Sequence, residues 1–193
     1  MSHPAPELTN NEPTWVDGPQ PDQEKQDAVG DGLVGLLATV LAIAVGEVGY
    51  TEGDNMANKY GKWASHDNTP WSGHFLSWVG HEANATEVFP VEAITSARLA
   101  WHRKRGECLS GAEAPQAGDV AFLHDPETDR MAHAGLVVRQ LQDGRVALIE
   151  GSAMRRGGTE PGRVALIHRA WLAPAGARDD LHIAGYARPV YDG

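Results

Sequence analysis

The sequence contains a single cysteine, Cys108, so no disulfide can form within the chain. Cysteine usage therefore says nothing about the compartment in which the protein works. Cys108 follows a short basic segment and has no histidine motif beside it. A buried or incidental thiol is the favoured interpretation, ahead of a nucleophile.

Basic residues are also scarce, since 16 Lys and Arg stand against 26 Asp and Glu and leave a formal net charge of −10. Nucleic-acid affinity depends on clustered Lys and Arg that neutralise phosphates, so this balance argues against a nucleic-acid-binding protein. It argues equally against a general attraction to anionic membranes. The one strongly basic run, residues 102–105, is predicted to be the solvated end of a helix.

No apolar segment is long enough to span a bilayer. The longest, residues 33–45, has 13 residues, whereas a spanning helix needs about 20. The first 27 residues hold six acidic residues and one lysine, which is the opposite of the basic start of a secretory signal peptide. We therefore expect no membrane partner and no Sec-dependent export. A cytoplasmic location, or release by a phage holin or a specialised secretion system, would fit.

Residues 1–27 also contain five prolines and few apolar side chains. Such a segment cannot bury enough surface to offset the entropy lost on ordering, so it is predicted to be a disordered tail. Residues 28–193 are predicted to form one domain, because that length supports a single core.

Hydrophobic periodicity changes midway along this domain. The first half predicts helices at residues 32–49, 72–83 and 91–103. The second half predicts strands at residues 118–123, 132–138, 146–150, 163–168 and 183–188, with a hairpin turn at Asp143-Gly144. Helices followed by strands indicate an α+β fold with an antiparallel sheet.

Three short segments place reactive side chains at the ends of these elements. PWSGHFLSW puts Ser72 in the first turn of a helix, where free backbone amides and the positive end of the helix dipole stabilise an anion. AHAGLVV puts His133 at the start of a strand, and LIEGSA puts Glu150 at the end of the next. Antiparallel pairing would bring those two together, as a base and the acid that orients it, with Ser72 as the nucleophile.

In this order the motifs resemble the CHAP family (cysteine, histidine-dependent amidohydrolase/peptidase), a branch of the NlpC-type papain-like superfamily. The resemblance runs from about Val34 to Pro189 and includes the segments GEVGYTEGDN, KYGKW, PQAGDVAFL and IAGYARP. It implies a papain-like fold in which an N-terminal helical half packs on a C-terminal antiparallel sheet. It also implies hydrolysis of amide bonds in peptidoglycan peptides. We expect a monomer that needs no cofactor and takes a peptidoglycan peptide or a related amide.

By position, the resemblance assigns the family's nucleophile to Ser72, where the usual motif has cysteine. Its histidine falls on His133 and its acid on Glu150, while the asparagine of the last motif falls on Ser152, which is a further candidate substrate contact. The chain therefore departs from the family pattern twice within the site.

Three aromatic residues in the loop and turn before Ser72 are candidate substrate contacts: Tyr60, Trp63 and Trp71. The resemblance implies that Tyr60 also helps to polarise the substrate carbonyl. Packing of the loop onto the core is the alternative for all three.

The serine itself leaves the function open. A cysteine attacks as a thiolate paired with imidazolium, whereas a serine hydroxyl needs a neutral His133 as general base. An active serine-dependent amidase and a catalytically inactive module that binds a wall peptide or a protein partner both fit. Acyl transfer on another small amide is a third possibility.

No metal is expected at this site. His74 and His81 are seven residues apart, which is too far for a single ion to bridge without help. Asp54 and Asn55 lack the full set of alternating oxygen ligands that calcium requires.

Overall fold

A computed structural model describes residues 13–15, 35–110, 113–154, 159–171 and 181–191 of the chain. Within these residues there are four α-helices: α1 Gly35–Gly46, α2 Lys59–Trp63, α3 Ser72–Glu82 and α4 Thr95–Lys104. The same residues form six strands: β1 Thr14–Trp15, β2 Val120–Asp125, β3 Arg130–Gln140, β4 Arg145–Ala153, β5 Arg163–Ala170 and β6 His182–Ala187. All pair antiparallel in one sheet, in the order β1-β5-β4-β3-β2-β6. The prediction of a mixed α+β fold with an antiparallel sheet is confirmed.

The turn between β3 and β4 is the hairpin predicted at Asp143-Gly144. Gly144 has a φ of +79°, in the left-handed region that favours glycine. Beside it, the Leu141 amide donates to the Arg145 carbonyl at 2.8 Å. The resulting register sets Gly135 opposite Glu150. This hairpin therefore brings the start of β3 beside the end of β4.

One face of the sheet packs against the helices. Its fully buried side chains include Phe122, Leu136 and Ile149. Phe75 of α3 packs directly on Gly151, because a Cβ at position 151 would lie 2.5 Å from the Phe75 Cβ. Only a residue without a side chain allows this approach. The helix is therefore held against β4 immediately after Glu150.

The N-terminal segment is not disordered throughout. Thr14 and Trp15 pair with His168 and Ile167 at the edge of β5, and Trp15 packs against a small apolar cluster that includes Ala153. The prediction of a disordered tail is wrong for these two residues, because an open strand edge and an apolar patch are available to them. Residues 1–12 and 16–27 of the predicted tail lie outside the described residues.

The predicted helix boundaries hold for α3 but shift elsewhere. The helix predicted to begin at residue 91 is α4, and it begins at Thr95. Residues 91–94 are not helical and pass over the start of α3, where Ala93 lies against Gly73. The first ends at Gly46, and its predicted start at residues 32–34 lies outside the described part of the chain. The short helix α2 was not predicted. No helix in the described ranges has both the length and the apolar character required to cross a bilayer.

Candidate active site

Ser72 is the first residue of α3 and is 5% exposed. The side chain before it, Trp71, is fully buried, and its Nε1 donates to Glu52 Oε2 at 2.5 Å. Glu52 Oε1 also accepts from the Gly162 amide at 2.8 Å. This carboxylate therefore ties the start of α3 to the segment before β5. Within the described residues, the Ser72 hydroxyl has no hydrogen-bond partner.

His133 and Glu150 meet at the adjoining ends of β3 and β4. His133 Nε2 lies 3.0 Å from Glu150 Oε2, at ion-pair distance but without the alignment of a hydrogen bond. Gly135, opposite Glu150, leaves room for the carboxylate, because a Cβ there would lie 2.8 Å from Glu150 Cγ. The predicted proximity of base and acid is present in the structure.

Arg169 on β5 completes this cluster and was not predicted. Its Nε lies 2.6 Å from Glu150 Oε1, and its Nη2 lies 3.0 Å from Glu150 Oε2. The planar guanidinium thus binds both carboxylate oxygens, the geometry that arginine forms best. The only sequence signal was an arginine directly after the strand predicted at residues 163–168. Arg169 lies four residues beyond Ala165, the residue that pairs with Glu150 across the two strands. Strand pairing therefore gave no reason to single it out.

The ionisation of Glu150 follows from these neighbours. The side chain is 1% exposed, and burial alone would raise its pKa. The charge of Arg169 and the contact with His133 outweigh burial and lower the pKa of Glu150 from 4.5 to about 2. Glu150 is therefore a carboxylate at neutral pH.

Stability is expected to fall as the pH drops from 4.5 to about 2, the interval between the unfolded and folded pKa values of Glu150. Because the pKa of Glu150 is lower in the folded protein, the stabilisation that its ionised carboxylate provides is fully present above pH 4.5. This stabilisation is lost as the pH falls through the folded pKa. The difference between the two pKa values corresponds to about 3 kcal/mol in the free energy of unfolding. Urea unfolding from pH 2 to pH 7 would measure it, with Glu150→Gln as the control. If the free energy of unfolding changed equally with pH in the wild type and in Glu150→Gln, the lowered pKa of Glu150 would be contradicted.

Ser72 is connected to this cluster only through the packing of its helix on β4. Gly151 faces Phe75 of α3, so strand alternation turns Glu150 toward the other face of the sheet. His133 shares that face, because it pairs with Leu123, which lies in one apolar cluster with Leu148 of β4. Among the described residues, Ser72 and His133 form no hydrogen bond. The structure thus brings His133 and Glu150 together, whereas the helix that begins at Ser72 packs on the opposite face of the sheet.

Comparison with models of protein families, with curated proteins and with solved structures finds no match to this chain. Its function must therefore be inferred from its own side chains.

The aromatic residues predicted to contact substrate lie mostly in the core. Tyr60 is fully buried, stacks on Trp71 with ring centroids 5.0 Å apart, and donates from its hydroxyl to Glu47 Oε2 at 2.6 Å. Burial and the Glu47 carboxylate raise the pKa of Tyr60. The predicted roles of Tyr60 and Trp71 in substrate contact are corrected, because neither ring reaches the surface. Packing of the loop onto the core is what both side chains do.

The two remaining predicted contacts stay partly open to solvent. Trp63 is half-buried and lies against His81, with ring centroids 5.2 Å apart. Ser152 is half-buried, with a φ of +57° at the bulge in β4. It follows directly after Glu150 and Gly151, so it stays a candidate contact at the rim of the site. Within the described residues, no cluster of three or more His, Cys, Asp or Glu side chains could hold a metal ion.

Proposed function

We propose that this protein is a papain-like hydrolase of the CHAP type that cleaves amide bonds of peptidoglycan peptides with Ser72 as nucleophile. The observation that carries the proposal is the contact between His133 and the buried carboxylate of Glu150. The substrate class comes from the sequence resemblance alone.

The proposed chemistry uses four groups. Ser72 Oγ attacks the amide carbonyl, and His133 takes the hydroxyl proton and later gives it to the leaving amine. Because Nε2 of His133 faces Glu150, Nδ1 is the nitrogen left for Ser72. Glu150 stabilises the imidazolium that forms. Free backbone amides at the start of α3 face the developing oxyanion, a role that no longer requires Tyr60.

The helix of Ser72 packs on the face of the sheet opposite Glu150, so the proposed attack requires a movement of the start of α3 or of the start of β3 that brings Ser72 Oγ to His133. Catalytic hydrogen bonds are often long or poorly aligned without substrate and tighten when it binds. Water then hydrolyses the acyl-serine ester with His133 as base, which releases the acid and restores the hydroxyl of Ser72.

A second candidate is a catalytically inactive module that binds a wall peptide or a protein partner. Two observations favour it: Ser72 has no hydrogen bond to His133, and Arg169 neutralises the carboxylate that would stabilise the imidazolium. A serine in place of the family's cysteine fits the same interpretation.

A muropeptide digest that compares wild type with Ser72→Ala and Ser72→Cys separates the two candidates. We expect the wild type to release new amines, and Ser72→Ala to lower the rate by at least about a thousandfold. Serine and cysteine differ by one atom, so Ser72→Cys tests the scaffold. An active Ser72→Cys beside an inactive wild type would contradict the hydrolase and support the binding module. Inactivity of both would contradict a catalytic scaffold.

A further inference from the structure

The outer edge of β5 is covered by two separate segments of the chain. Residues 49–52 lie along its first half, where the Val164 amide donates to the Tyr50 carbonyl at 2.8 Å. This segment is fixed to the core, because Glu52 accepts a hydrogen bond from the buried ring of Trp71. The strand β1 lies along the second half of the same edge, at the end of the sheet.

The second half of the edge receives the two side chains of β1 at defined positions. Thr14 Oγ1 accepts a hydrogen bond from Arg145 Nη1 at 2.8 Å, although Arg145 also pairs with Asp143. The guanidinium of Arg163 lies over the Trp15 ring, 4.9 Å from its centroid, within the range of a cation–π contact. The ring packs against an apolar surface formed by Ala153, Ala165 and Ile167. The edge therefore offers a position for an aromatic side chain and, next to it, a donor for a hydroxyl group.

The attachment of β1 is small compared with that of the other strands. Within the described residues, β1 contains two residues, whereas each of the other strands contains at least six. Thr14 is exposed and Trp15 is half-buried. Segments with few buried contacts separate at a free energy well below that of global unfolding. Separation of β1 would uncover Ile167, which is now fully buried, together with the backbone edge beside it.

This part of the edge adjoins the cluster of His133 and Glu150. Ala165 pairs with Glu150 across β5 and β4, and the Trp15 ring packs against Ala165. Side chains alternate along a strand, so Ala165 and Arg169 lie on one face of the sheet, the face that carries the Glu150 carboxylate. A segment bound in place of β1 would therefore lie beside the candidate active site.

We propose that the second half of the β5 edge binds an extended peptide segment of another protein, and that β1 is a tethered occupant which this segment displaces. The segment pairs with β5 as an antiparallel strand, with an aromatic side chain at the position of Trp15 and a hydroxyl side chain at the position of Thr14. In strand addition of this kind, main-chain hydrogen bonds supply affinity and side-chain positions supply specificity. The proposal does not depend on Ser72 acting as a nucleophile.

The test is an NMR titration of the ¹⁵N-labelled full chain with the acetylated peptide NEPTWVDG, which has the sequence of residues 11–18. The amide signals of Ile167 and His168 are followed in the wild type and in Trp15→Ala. The peptide should shift both signals in Trp15→Ala in a saturable way. The wild type should need at least about tenfold more peptide, because its tethered strand competes at a millimolar effective concentration.

Equal affinity of the two chains for the peptide, or no shift in either, would overturn the proposal. If Trp15→Ala did not fold, titration of the wild type to millimolar peptide would decide the question by itself. The peptide with alanine in place of tryptophan should bind Trp15→Ala at least about tenfold more weakly, because the ring contributes most of the buried apolar surface. Equal binding of the two peptides would contradict the proposed aromatic position.

Two further controls separate the remaining explanations. Trp63→Ala removes a half-buried tryptophan elsewhere on the chain and should bind the peptide as weakly as the wild type does. Tighter binding by Trp63→Ala would indicate general loosening of the fold and would count against the proposal. Sedimentation of the wild type and of Trp15→Ala tests self-association. A wild-type dimer that becomes a monomer in Trp15→Ala would mean that a second copy supplies β1, and would overturn the proposal of another protein as partner.

Discussion

Replacing Arg169 with methionine should destabilise the protein by about 3–5 kcal/mol at neutral pH. Arg169 binds both oxygens of Glu150, whose side chain is 1% exposed. Without the guanidinium, a buried carboxylate loses its main counter-charge, and His133 alone faces it. Chemical denaturation at pH 7 measures the loss directly.

Two comparisons make this prediction specific. The double variant Arg169→Met/Glu150→Gln should regain much of the lost stability, because the charge that needed compensation is gone. Arg145→Met removes a more exposed ion pair with Asp143 in the β3–β4 turn and should cost less than about 1 kcal/mol. Equal losses for Arg169→Met and Arg145→Met would mean that Glu150 does not depend on Arg169.

Replacing Gly73 with alanine should cost about 3 kcal/mol, although alanine is intrinsically the better helix former. A Cβ at position 73 would lie 2.0 Å from the Ala93 carbonyl oxygen. That atom belongs to the backbone and has no rotamer by which to retreat, so residues 91–94 would have to move. Thermal and chemical unfolding measure the loss.

Gly46→Ala is the matched control for this substitution. Gly46 is also helical, at the end of α1, and nothing lies within 4 Å of the position its Cβ would take. Alanine there should be neutral or stabilise the protein by up to about 1 kcal/mol. A loss of the same size at both positions would point to backbone flexibility and against the contact with Ala93.

Strands β2 to β6 and the helices α1 and α3 were predictable, because the sequence patterns that mark them extend over only a few neighbouring residues. Alternating apolar residues mark the strands, and a glycine that can adopt a positive φ marks the β3–β4 turn. The helix α2 and the strand β1 were not predictable. The first is one turn long, and the second has two residues that pair only because β5 presents an open edge. Neither carries a periodic pattern of its own.

In the candidate site, too, some residues could be assigned from the sequence and others could not. The pairing of His133 with Glu150 followed from the hairpin, because two adjacent strands have only one register that suits the turn. Tyr60 and Trp71 could not be assigned from sequence, because an aromatic residue in a loop is equally suited to a surface or to a core. Their contacts with Glu47 and Glu52 decide for the core.

By itself, the sequence determined an α+β chain with an antiparallel sheet, a serine at a helix start, and a histidine and a glutamate on paired strands. These features depend on residue order over short distances, where period and turn chemistry suffice. Only the tertiary structure decided that Arg169 neutralises Glu150, that Ser72 does not contact His133, and that Tyr60 and Trp71 are buried in the core. Each of these depends on which distant residues share a low-dielectric environment, and that is set by packing between elements.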